Sequence, residues 1–141
     1  MKAQNWTIDH VAIVVADLEA TVELYTGTLG MPLLYRETIA DQGVEAVGIA
    51  TGDSVIELLR PLDGDSAITR FRGDALTKLH HIAYRVTNIE VELARMQAAG
   101  IRLIDAVPRR GAHGNVVAFL HPKSTGGVLT ELCERRAFPS P

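Results

Sequence analysis

Cysteine, tryptophan and positive charge are all scarce in this chain of 141 residues. The single Cys133 cannot form an intrachain disulfide, which fits a reducing compartment. Lys and Arg number 14 against 17 Asp and Glu, a net charge of −3, so no basic field exists to hold a nucleic-acid backbone. Aromatics make up 5%, and no basic run sits beside them. Nucleic acid is therefore not an expected partner. The longest apolar run, Val11 to Ala16, is far shorter than the ~20 residues that span a bilayer. The opening residues, Met1 to Trp6, lack the apolar core of a secretory signal. A cytoplasmic protein with no membrane partner is expected. What remains is 47% hydrophobic and 22% charged, the balance of a folded globular chain. At this length one domain, 1–141, hides roughly two thirds of its unfolded surface and needs no staples.

The chain repeats itself. Ile8-Asp9-His10-Val11-Ala12-Ile13-Val14-Val15 reads like Leu79-His80-His81-Ile82-Ala83-Tyr84-Arg85-Val86, half a chain later. A polar cap and a helical pattern follow each segment. Asp17 precedes a stripe of Leu18, Val22, Tyr25 and Leu29 that stops at Gly30; Asn88 precedes Ile89, Leu93 and Met96, stopping at Gly100. Three β-like stretches then follow in each half: Met31–Thr38, Val44–Ala50 and Ser54–Arg60, against Arg102–Val107, Asn115–Leu120 and Gly127–Cys133. The pattern predicts an α+β fold of two tandem βαβββ modules, about 6–62 and 78–135. The linker, 63–77, carries a short helix over Ala67–Phe71. Neither module buries both faces of its sheet alone, so the two are expected to pair as one unit.

Strand parity selects the chemistry. Side chains at i and i+2 share a sheet face, which groups Ile8, His10, Ala12 and Val14, and likewise Leu79, His81, Ala83 and Arg85. His10 and His81 thus match, each followed by a small Ala that leaves room beside the ring. His80 falls on the opposite face, with Ile82 and Tyr84, as a packing residue. The last strand of each module carries an acid among apolar residues: Val55-Ile56-Glu57-Leu58-Leu59 and Leu129-Thr130-Glu131-Leu132-Cys133. An unpaired buried carboxylate costs several kcal/mol, so such acids pair or bind metal. Two imidazoles and two carboxylates make a mixed N/O set suited to one divalent metal ion per chain, with Co, Mn, Mg, Ni and Zn all compatible.

These residues, with Asp41-Gln42-Gly43-Val44, Asp65-Ser66-Ala67-Ile68, Gly111-Ala112-His113-Gly114 and the long string Phe119-Leu120-His121-Pro122-Lys123-Ser124-Thr125-Gly126-Gly127-Val128-Leu129-Thr130-Glu131-Leu132, carry a resemblance. The chain resembles the vicinal oxygen chelate (glyoxalase/bleomycin resistance/dioxygenase) superfamily and, through that last string, its methylmalonyl-CoA epimerase family. The resemblance implies a curved eight-stranded mixed sheet around a metal-binding cavity, with His10, Glu57, His81 and Glu131 as ligands. It implies an acyl-CoA substrate, exchange of (R)- and (S)-methylmalonyl-CoA by proton transfer at the thioester α-carbon, Glu131 as both ligand and base, and a homodimer.

Several family members place a second Glu four residues after the Gln of the Gln-Gly-Val motif. Here that position is Ala46, and parity turns the adjacent Glu45 to the other face. Lys123, Arg109 and Arg110 are candidate contacts for the CoA phosphates, since an anionic ligand on an acidic chain needs local cations. His113 is a further candidate at the substrate, and Arg85 shares the face of His81. Two enzymatic rivals use related sites: a glyoxalase I-type lactoylglutathione lyase, with the same four ligands, and a ring-cleaving dioxygenase, whose two-His, one-carboxylate triad a fourth ligand obstructs. A metal-free ligand-sequestering module of the same fold is the rival outside enzymes.

Overall fold

The computed structural model describes residues 5–136. They fall into two compact units, His10–His80 and a second formed by 81–136 together with 5–9. Eight strands and three α-helices follow one another as β1 (Thr7–Val15), α1 (Leu18–Glu23), β2 (Leu33–Ile39), β3 (Val44–Thr51), β4 (Ser54–Pro61), α2 (Ala67–Arg72), β5 (Thr77–Arg85), α3 (Ile89–Ala98), β6 (Arg109–Arg110), β7 (Val116–Leu120) and β8 (Thr130–Glu134). The βαβββ order therefore occurs twice.

In the first unit the strands lie in the order β2-β3-β4-β1, with β1 parallel to β4 and the other pairs antiparallel. Its core lies on one face, where Val47, Ile49, Leu58 and Val15 pack with Leu18, Val22 and Tyr25. Asp17 starts α1, its carboxylate accepting the Ala20 N–H at 3.0 Å. The helix continues as a wider π-turn over Leu24–Thr28, with Leu29 N–H donating to the Leu24 carbonyl at 2.9 Å. That extra residue per turn shifts the phase of the apolar stripe. Leu29, expected on the stripe, is consequently exposed.

The second unit repeats the plan in the order β5-β8-β7-β6, with β5 parallel to β8. Val86, Ile89, Leu93, Ala118, Leu120 and Leu132 form its core. Asn88 caps α3 by accepting the Val91 N–H at 3.2 Å. The strand expected over Arg102–Val107 does not form; that segment contributes an isolated bridge between Leu103 and Leu120, and the strand shrinks to Arg109–Arg110. The cause is local. The Asp105 carboxylate accepts the Phe119 N–H at 2.8 Å, taking a donor that a strand ladder would use. Pro108 then removes a further donor before β6 begins.

Each sheet set has two unlike faces. One is apolar and covered by a helix. On the other lie the imidazoles and carboxylates selected by parity, and that face positions the site.

Candidate metal centre and active site

The two units build the same local arrangement. In the first, the parallel register pairs Ala12 with Glu57 and His10 with Val55, so His10 and Glu57 occupy one face of neighbouring strands. In the second, Ala83 pairs with Glu131, with His81 two residues upstream of Ala83. The small Ala beside each Glu leaves its neighbourhood open. His81 Nε2 lies 3.6 Å from Glu131 Oε2, so this His and Glu are brought into direct contact. Phe119, opposite Glu131 in the β7–β8 ladder, packs against His81 with the two rings nearly perpendicular and 5.1 Å between centroids.

Burial bears on the chemistry. His10, Glu57, His81 and Glu131 are all at most 6% exposed. Ionised groups withdrawn from water in this way need compensating charge or hydrogen bonds. Each unit pairs one imidazole with one carboxylate, nitrogen and oxygen donors of the kind that suit a borderline divalent cation better than a soft or a purely oxygen-seeking one. By this chemistry of the donors, the residues present fit a metal ion.

The remaining expected residues take other positions. Arg109 stacks over Phe119 at 5.7 Å from the ring centroid, with its Nε 3.6 Å from Asp105 Oδ1. Through Val117, its ladder partner, it shares the face of Phe119 and Glu131. Lys123 is exposed in a short 3-10 turn, Pro122–Ser124, and its backbone N–H donates to His121 Nδ1 at 3.1 Å. His113 is exposed in the turn Ala112–Gly114 with φ of 56°, the left-handed region that few non-glycine residues adopt. Arg85 pairs with the buried Asp9, its Nε 3.3 Å from Oδ1, and Arg135 Nε holds the same oxygen at 2.7 Å.

His80 lies half-buried against the edge of Phe71, and burial pushes its imidazole down to about 4, so it is neutral at ordinary pH. Glu45 is held away from the site face. Arg36 Nε donates to its Oε2 at 2.7 Å and Arg60 Nη2 to its Oε1 at 2.6 Å, and both guanidinium groups hold its carboxyl below the usual range. Ala46, fully buried, occupies the site face beside Leu59.

Two residues near the site escaped the sequence reading. The Tyr35 hydroxyl donates to Glu57 Oε2 at 2.6 Å, and Gly48 lies between the two in the ladder. The available signal was Gly48 itself, because a glycine inside a strand marks a close approach of something else.

A family model described as the Glyoxalase/Bleomycin resistance protein/Dioxygenase superfamily matches residues 9–119. An ethylmalonyl-CoA/methylmalonyl-CoA epimerase from Cereibacter sphaeroides is 40% identical over 127 residues, 89% of this chain and 95% of the relative. Among solved structures, a methylmalonyl-CoA epimerase from Mycobacterium tuberculosis superposes with a TM-score of 0.90 at 35% identity, over 97% of this chain and 93% of the other. A methylmalonyl-CoA epimerase in complex with methylmalonyl-CoA and NH4+ superposes with a TM-score of 0.85 at 37% identity, over 95% and 97% of the two chains.

Proposed function

The chain belongs to the glyoxalase/bleomycin resistance protein/dioxygenase superfamily, and from that premise we propose that it is a metal-dependent methylmalonyl-CoA epimerase. The observation that carries the reading is the duplicated pair of a buried His and a buried Glu, one pair on each of two matching parallel ladders. In this reading His10, Glu57, His81 and Glu131 hold one divalent ion. A divalent ion held by these residues would supply Lewis acidity that stabilises charge developing on the substrate's thioester.

The protein's own side chains do the rest. Epimerisation breaks the α-carbon–hydrogen bond, moves its electron pair into the thioester carbonyl as an enolate, and ends when that pair returns to carbon to bond a solvent-derived proton on the opposite face. Glu131 receives the proton on a carboxylate oxygen; its contact with His81 holds it in place for the transfer. Phe119 and the small Ala83 wall this face and help to exclude water from the carbanionic species. Arg109, at the end of the Phe119 stack, and the exposed Lys123 and His113 are the proposed contacts for the CoA moiety. Both redox equivalents and hydride acceptors are unnecessary, since the reaction moves only a proton.

The same reading includes a cytoplasmic homodimer. Leu33 and Leu34 are each nearly half exposed on β2, the outer strand of its set, which supports a covered edge. Among the described residues no helix is long and apolar enough to cross a membrane.

The test is deuterium incorporation at the α-carbon of methylmalonyl-CoA in D2O, beside isomerisation of a glutathione hemithioacetal. The expected outcome is prompt exchange that EDTA abolishes and added divalent metal restores. Activity confined to the hemithioacetal would overturn the reading in favour of a lactoylglutathione lyase. Exchange that persists in the metal-stripped enzyme would remove the metal from the mechanism.

A further inference from the structure

The duplicated modules are not equivalent at their carboxylates. Glu131 faces the ring of Phe119 across the ladder. Glu57 instead belongs to a row of three residues, with Tyr35 on β2 opposite Gly48 on β3 and Gly48 opposite Glu57 on β4. Tyr35 spans the row and places its hydroxyl 2.6 Å from Glu57 Oε2, a short bond in which an O–H donates to a carboxylate oxygen.

The sequence accommodates this bond in two ways. A Cβ built on Gly48 would overlap the Tyr35 ring, which therefore crosses where only hydrogen fits. Gly48 does not have the positive φ of the turn glycines, so its place is set by space and not by backbone conformation. A glycine in a strand interior is destabilising relative to Ala, a cost that the contact explains. In addition, the β2–β3 register shifts between Leu33 and Tyr35, and such an irregularity re-aims the side chain beside it.

We infer that Tyr35, admitted by Gly48, is the positioning residue that fixes Glu57 as a single-oxygen metal ligand. The inference rests on the metal-site reading above. A phenol on Oε2 restricts rotation of the carboxylate and would leave Oε1 to face a cation.

The experiment is a double-mutant cycle on the full chain, read by Co(II) titration calorimetry of chelator-stripped protein and by the visible spectrum of the Co(II)-loaded form. Tyr35→Phe is expected to weaken Co(II) binding about tenfold or more and to shift the Co(II) absorption bands. In a Glu57→Ala background the same change is expected to alter affinity less than twofold, because the inference routes the effect of the hydroxyl through that carboxylate. Gly48→Ala, which displaces the ring without removing the phenol, is expected to reproduce the loss and serves where the Glu57 variant does not fold. Unchanged Co(II) affinity and spectrum in Tyr35→Phe would overturn the inference, as would an equal loss in both backgrounds. Failure of the unsubstituted protein to bind Co(II) is a different result, and it overturns the metal-site reading itself.

Discussion

Glu131→Gln is expected to lower methylmalonyl-CoA epimerisation by about 10²–10⁴-fold, the usual contribution of a positioned general base. The amide keeps the size of the carboxylate and an oxygen that can still face a metal, but it cannot accept the substrate proton at neutral pH. Metal content should therefore fall much less than turnover. The same substitution at Glu45 is expected to leave turnover within about twofold, because that side chain lies off the site face, whatever it costs in stability. Its carboxylate is engaged by Arg36 and Arg60 and contributes nothing to the site face. Steady-state kinetics on both variants, with metal analysis and thermal melts as controls, separate a loss of base from a loss of fold. Equal activity in the unsubstituted enzyme and Glu131→Gln would remove Glu131 as the base.

The second large effect concerns the histidines, and adjacent residues provide the contrast. His81→Ala and His10→Ala are each expected to reduce metal affinity by about a hundredfold or more. The figure follows from sharing a typical ~10–16 kcal/mol of metal-binding free energy among four ligands, about 3 kcal/mol each. His80→Ala, one residue from His81, is expected to leave metal affinity unchanged, because its ring turns away to pack on Phe71. It should lower stability instead, through lost packing. Metal titration of the three variants tests the parity argument directly. A His80 variant that loses metal, or a His81 variant that retains it, would contradict the assignment of faces.

Much of this arrangement was legible in the sequence because strands and helices impose strict periods. Alternation by two along Ile8–Val15 and Leu79–Val86 was enough to separate His81 from His80, and the structure keeps them on opposite faces. The caps Asp17 and Asn88 start their helices as their side chains dictate. Where the reading failed, a side chain competed with the backbone pattern. Asp105 captured a strand donor and dissolved Arg102–Val107, and one extra residue in the turn after Glu23 moved Leu29 off its stripe. Neither event leaves a periodic trace. The bond from Tyr35 to Glu57 was hidden for a different reason. It joins residues on strands that do not neighbour one another, and only the missing side chain of Gly48 permits it.

The central claim is that two matched ladders deliver two imidazoles and two carboxylates to a single cation. Anomalous diffraction from cobalt-loaded crystals measures this most directly. The predicted result is one strong peak per chain, with His10, Glu57, His81 and Glu131 ligating at about 2.0–2.2 Å. A peak bound by other residues, or crystals in which the four side chains surround no ion at saturating cobalt, would contradict it.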